Sequence, residues 1–218
     1  MTIRVALVDD QELIRTGLAM VIDACDDLAV VVQASNGAEA FERLATTAVD
    51  VVLMDVQMPR VNGVDATAAI TARASAPKVI ILTTFDLDEY AYAALRAGAS
   101  GFLLKDASAA HVLEAIRTVH SGDAVIAPST TRRMLEHLAA AAPRTSSGEG
   151  ALSVLTGRER EVLVEMASGH ANAEIARRLY LSEATVKTHI GRILAKLGLR
   201  DRVHAVIFAY DHGLVRPR

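Results

Sequence analysis

Four apolar runs in the first half of the chain each stop against a charged or hydroxyl residue. Ile3 to Val8 stops at Asp9-Asp10, and VDVVLM (49–54) stops at Asp55. KVIIL (78–82) stops at Thr83-Thr84, and GFLL (101–104) stops at Lys105. Together with a run over 28–34, they predict strands at 3–8, 28–34, 49–54, 78–83 and 101–104. Helical periodicity between them predicts helices at 11–24, 37–46, 63–74, 88–97 and 107–121. Strands alternating with helices specify a parallel sheet covered on both faces. The nearly unbroken apolar VDVVLM suits a strand buried on both sides. In an open α/β sheet, ligands gather at the carboxyl ends of the strands, at the topological switch point. Three carboxylates, a hydroxyl and an ammonium are therefore expected to meet at one edge. The acids are suited to a hard divalent cation, which takes oxygen ligands. One acid can also act as a nucleophile, as where an aspartyl-phosphate forms.

Asp9-Asp10, DVQMPRVNG (55–63), LTTFD from Leu82 and GFLLKD from Gly101 occur in an order and spacing that resemble a response-regulator receiver domain. The resemblance covers roughly the first 120 residues. It implies a flavodoxin-like (βα)5 fold with Asp55 as phosphoacceptor. It implies that Asp9, Asp10, Asp55 and the backbone carbonyl of Gln57 hold Mg²⁺. Thr83 would donate a hydrogen bond to the phosphoryl group and Lys105 would pair with it. Phe102 matches an aromatic switch position. Gln57 and Phe85, each two residues past a key position, would flank the path of the hydrolytic water. The bulk of Phe85 is expected to shield the acyl phosphate.

A length of 218 residues suits one large or two modest domains. No apolar run approaches the ~18 residues of a membrane span, and MTIRVALVDD lacks the layout of a signal peptide. The lone Cys25 excludes an internal disulfide framework and fits a reducing cytoplasm. The net charge of −3 hides an asymmetry. Residues 1–150 carry 12 Lys+Arg against 19 Asp+Glu, net −7, whereas residues 151–218 carry 11 against 7, net +4. A basic C-terminal part points to contact with a polyanion.

The chain changes character at 122–150. Arg132 to Ala142 suits a short helix, and PRTSSGEG (143–150) reads as a flexible linker. The expected domains are therefore 1–121, a linker at 122–150, and 151–218. The last part reads as all helix. Thr156 and Glu159 form a capping box. Asn172 is the expected N-cap of 173–179, Ser182 of 183–197 and Asp201 of 202–212. Two helices joined by Tyr180-Leu181-Ser182 make a helix-turn-helix candidate. In the longer one, Val186, Ile190, Ile193, Leu194 and Leu197 share a face. Lys187, Thr188, Gly191, Arg192 and Ala195 then point outward, a narrow face with two cations that suits a major groove. LTGREREVL and ASGHANAEIARRLYLSEATVKTHIGRILAKLGLRDR resemble the LuxR-type DNA-binding domain of NarL/FixJ-class regulators. That resemblance puts Lys187, Thr188 and Gly191 at base-contact positions. Arg192 and Ser182, at the start of the helix, complete the DNA-facing set. His170-Ala171, where Leu-Ser is frequent, departs from the pattern.

Each residue has a plainer role in isolation. Asp9-Asp10 would be a helix cap, Thr83 an ordinary strand residue, Lys105 a solvated cation and Phe102 a core aromatic. Arg177, Arg178, Arg200 and Arg202 would be solvated, or in a DNA-binding context would touch phosphate. Their joint order and spacing favour a two-domain transcription regulator. It is expected to be phosphorylated by a sensor histidine kinase, to bind double-stranded DNA and to dimerise when phosphorylated. Two alternatives carry different signatures. A DNA-binding protein indifferent to phosphorylation would not need all five site residues. A Mg²⁺-dependent phosphohydrolase would need an acid at position 57, which is Gln. No Gly-rich phosphate loop, HExxH pair or paired-Cys motif is present, and no enzyme activity is expected.

Overall fold

The computed structural model describes residues 2–73, 75–84, 93–122, 125–126 and 152–215. The chain divides into two compact units, Met1–Thr130 and Thr131–Arg218. The helix expected at 132–142 and most of the 122–150 linker lie outside the described residues, as do Phe85 and the first half, 88–92, of the helix expected at 88–97.

The first unit is built on β1 (Ile3–Val8), β2 (Leu28–Ala34), β3 (Val51–Asp55), β4 (Lys78–Thr83), β5 (Gly101–Leu104) and β6 (Val125–Ile126). All pairs are parallel, in the order β2-β1-β3-β4-β5-β6. The two-residue β6, absent from the sequence reading, extends the expected five strands by one. Its apolar run is too short to stand out from a loop.

The described helices of this unit are α1 (Glu12–Asp23), α2 (Gly37–Thr46), α3 (Gly63–Thr71) and α4 (Ala109–His120). Residues 93–96 are also helical. Asn36, Asn62 and Ser108 cap α2, α3 and α4 by accepting backbone N–H groups, each worth ~1 kcal/mol. The third helix stops at Thr71, three residues before the expected end. There the Thr71 hydroxyl donates to the Ala97 carbonyl at 2.6 Å, joining the helix end to the next connection. One face of the sheet packs Val5, Leu7, Leu53, Ile80, Leu82 and Leu103 against Ile22 of α1 and Val112, Ile116 and Val119 of α4. Ala40, Ala66 and Ile70 are buried on α2 and α3. All five residues of β3 are buried, as a doubly covered strand requires.

The second unit contains α5 (Gly157–Ala167), α6 (Asn172–Leu179), α7 (Glu183–Leu197) and α8 (Arg202–Asp211). Thr156 and Glu159 form the expected capping box, and Ser182 and Asp201 cap as expected. The expected Asn172 cap is displaced by one residue. Ala171 occupies the N-cap position, and Glu174 reaches back to its N–H at 2.8 Å. The Asn172 side chain instead accepts from Arg202 at 2.7 Å. Val162, Leu163, Met166, Ile175, Val186, Ile190, Ile193, Val203 and Ile207 form the core. The buried Tyr210 hydroxyl donates to the Ala167 carbonyl at 3.2 Å.

Among the described residues no helix is long and apolar enough to cross a membrane.

Candidate functional site

The strand order reverses between β1 and β3, because β2 lies on one side of β1 and the later strands on the other. That is the switch point at which ligands bind. Register carries the site residues there. Val8 pairs with Met54, Asp55 with Leu82 and Thr83 with Leu104. The next residues along β1 and β5 are Asp9 and Lys105. The chain thus delivers Asp9, Asp55, Thr83 and Lys105 to one edge simply by ending its strands together.

The Lys105 ammonium lies 2.6 Å from Asp9 Oδ2 and 2.9 Å from Asp55 Oδ2, with all three side chains at most 7% exposed. Carboxylate oxygens of Asp9, Asp10 and Asp55 lie within 4.8 Å of one another, Asp10 being the exposed member. Such a hard-oxygen set fits a divalent cation. Asp9 Oδ2 is buried, and the Lys105 ammonium at 2.6 Å is its charge partner. Asp9 Oδ1 accepts from the Gln11 backbone at 2.9 Å, and Arg15 donates to the Asp9 carbonyl at 2.5 Å.

Burial pushes the Asp55 carboxyl above its ordinary range and the charge of Asp9 adds to this, while Lys105 pulls the other way. Burial alone would lower the Lys105 ammonium, but its contacts with Asp9 and Asp55 outweigh that and raise it. The cation therefore stays charged where carboxylates crowd. The arrangement sets the Asp55 carboxyl beside a fixed positive charge, a geometry that suits an anionic group held at Asp55.

Thr83 is buried at the end of β4 and Phe102 is 1% exposed in β5. The Lys105 N–H donates to the Thr83 carbonyl at 2.7 Å, tying the two strand ends together. The Gln57 N–H reaches Asp55 Oδ1 at 3.4 Å, and its side chain is exposed.

Sequence reasoning quoted Gly63 in the motif but missed its role. A Cβ there would stand 2.0 Å from the Asp55 carbonyl oxygen, and the Gly63 N–H donates to Val56 at 2.9 Å. Glycine alone lets the start of α3 pass over the backbone of Asp55. The signal was a glycine eight residues past the aspartate.

In the second unit, Lys187, Thr188, Gly191, Arg192 and Ala195 are exposed on α7, opposite buried Val186, Ile190 and Ile193. A Cβ at Gly191 would meet nothing within 4 Å, so no internal packing requires glycine. Ser182 is exposed and its hydroxyl accepts the Thr185 N–H at 3.1 Å, so its role inside the protein is that of a cap. The four arginines differ. Arg177 is exposed. Arg178 pairs with Glu165 at 2.6 Å. Arg200 is partly buried. Arg202 donates to Asn172 and to the His170 carbonyl, a structural use that sequence reasoning left between solvent and phosphate. His189 lies on the flank of α7.

Comparison with known proteins adds to this geometry. The family described as response regulator receiver domain matches residues 5–117, and bacterial regulatory proteins of the luxR family match residues 153–209. The chain is 43% identical to the uncharacterized transcriptional regulatory protein YxjL of Bacillus subtilis, over 98% of each chain. It is 42% identical to the transcriptional regulatory protein LnrK of the same organism, over 97% of this chain and 98% of LnrK. Among solved structures it is similar to the response regulator ChrA of a heme-sensing two-component system. That match has 35% identity and a TM-score of 0.51 over 98% of this chain and 99% of that one.

Proposed function

We propose, on the premise that this chain belongs to the response regulators as a transcription regulator with a receiver and a luxR-type DNA-binding domain, that phosphorylation of Asp55 switches it. The phosphoryl donor is a partner histidine kinase, and the phosphorylated state is DNA-competent and dimeric. The observation that carries the reading is the Lys105 ammonium, buried between Asp9 and Asp55 at 2.6 and 2.9 Å.

Asp9, Asp10, Asp55 and the Gln57 carbonyl would hold Mg²⁺, which supplies charge neutralisation for the transferred group. The Asp55 carboxylate attacks phosphorus in line and the donor leaves from the opposite side. The modification adds about −1.5 to −2 charges. Lys105 then pairs with the phosphoryl oxygens and Thr83 turns its hydroxyl toward them. Phe102 fills the space that Thr83 vacates, changing the surface of 93–96, β5 and α4. The result is a population shift between two states of one fold.

In the second domain, Lys187, Thr188, Gly191 and Arg192 face the major groove and Ser182 lies at the groove edge. Two copies on adjacent half-sites read one turn of duplex. The protein works in the cytoplasm, with domains at 1–121 and 151–218 joined by 122–150. Asp55 is a stoichiometric acceptor, and the chain turns over no substrate of its own.

Incubation with a small-molecule phosphodonor and Mg²⁺, read by intact mass, tests the reading. One phosphoryl adduct is expected on the native chain and none on Asp55→Ala. Equal labelling of both would remove Asp55 as acceptor.

A further inference from the structure

The orphan carbonyls at the end of α6 direct attention to α5. A helix leaves its last carbonyls without intrahelical partners. Here the Leu181 N–H takes the Ala176 carbonyl at 2.8 Å and the Tyr180 N–H takes Arg177 at 3.4 Å. Tyr180 makes this turn in the left-handed region at φ 55°, a conformation that favours glycine. The Leu179 carbonyl is met from outside the helix, by the guanidinium of Arg158 in the first turn of α5. Arg158 is braced in turn by Glu161 at 2.5 Å.

The neighbouring residue, Glu159, reaches the other helix. Its carboxylate is 3% exposed. It accepts the Thr156 N–H at 2.8 Å and the Lys196 ammonium of α7 at 2.7 Å. Two adjacent side chains of α5 thus grip the end of α6 and the distal half of α7. Between these grips lies the turn Tyr180-Leu181-Ser182, whose first residue is 95% exposed and packs on nothing that would stiffen it. Specific recognition tolerates only ~0.5 Å and 10–20° of error, so the angle between α6 and α7 rests on their shared apolar packing and on the polar grips from α5 rather than on the turn.

We propose that Arg158 and Glu159 are positioning residues for DNA recognition, a two-point clamp from the first turn of α5 that sets how α7 presents its outward face. The proposal rests on the groove-facing role of α7 given above. Arg158 acts through the Leu179 carbonyl and Glu159 through Lys196. A misaligned α7 still offers its cations to phosphates, so the clamp matters for sequence reading and little for charge attraction.

The experiment uses the full-length chain. A duplex is selected from a random pool by the native protein, and poly(dA-dT) serves as the non-specific probe. Affinities for both, their salt dependence and thermal unfolding are measured for Arg158→Met, Lys196→Met and the conservative Lys196→Arg. Loss of folded protein would lower both affinities together and leave their ratio unchanged. The clamp predicts a fall of about tenfold in the specific-to-non-specific ratio for both Met variants, an unchanged salt slope, and recovery in Lys196→Arg. A ratio that stays within twofold overturns it. A salt slope reduced by about one phosphate contact, with both affinities falling together, overturns it as well and makes Arg158 or Lys196 a backbone contact. If the native protein selects no sequence, the groove-facing reading of α7 fails first.

Discussion

Lys105 and Glu159 show how single side chains carry this protein. Lys105 balances two nearly buried carboxylates, so removing the cation leaves like charges facing each other. Lys105→Ala is expected to leave Asp55 in place but to weaken the coupling of phosphorylation to DNA binding. This is checked by comparing DNA affinity with and without phosphodonor. Gly63→Ala is expected to destabilise the first domain by about 1–3 kcal/mol, the usual cost of overpacking, because its Cβ would meet the Asp55 carbonyl at 2.0 Å. Urea unfolding measures the loss, and phosphodonor labelling should fall with it. Glu159 sets an acid limit for the second domain. The Lys196 ammonium, with the Thr156 N–H, holds its carboxyl well below 4.5, at about 2. A carboxylate depressed by folding stabilises the native state above its ordinary pKa, and this is lost as pH falls toward the folded value. The domain should therefore lose melting temperature between about pH 4.5 and pH 2. Glu159→Gln, less stable at pH 7, should show a flatter profile over that window. A native profile that is already flat there would remove Glu159 as the cause.

At the scale of elements, α7 carries two opposing choices. Ser182 caps it well, and Ser182→Ala should cost about 1 kcal/mol, read by chemical denaturation. Gly191 sits mid-helix where Ala would fit, with nothing within 4 Å of a Cβ, so Gly191→Ala should stabilise the domain by about 0.5–1 kcal/mol. If the glycine serves close approach to a duplex, that same variant binds specific DNA more weakly despite its stability. Stronger or equal binding would reduce Gly191 to a tolerated residue. Helix α8 commits one face to the core of its own domain. Val203, Ala205, Ile207 and Ala209 are buried and Phe208 stacks on His212 at 3.9 Å.

For the whole molecule, charge and partition matter most. Residues 1–150 carry a net charge of −7 and residues 151–218 one of +4. The fragment from Gly150 to Arg218 is expected to bind DNA without phosphorylation, and more tightly than the unphosphorylated full chain, if the receiver masks it. Electrophoretic mobility shifts at fixed salt compare the two. Weaker binding by the fragment would favour phosphorylation-driven dimerisation over masking.

The sequence by itself determined where the strands end and what stands there. Apolar runs terminated by Asp9, Asp55, Thr83 and Lys105 are a one-dimensional pattern, and parallel strands of similar length bring their ends to one edge. It also determined the helices with local signatures, since caps such as Thr156, Ser182 and Asp201 act within three residues of themselves. Only the tertiary structure decided what depends on distant neighbours. It paired Lys105 with both Asp9 and Asp55, and laid Gly63 against the Asp55 carbonyl. It drew Asn172 from capping into the reach of Arg202, and set Arg158 and Glu159 against two different helices. It also added β6, a pair of residues that counts as a strand only because β5 lies beside it. Local periodicity and capping involve near neighbours and can be read in order. Contacts between residues 8 to 96 positions apart depend on how the elements pack, and no spacing along the chain encodes that directly.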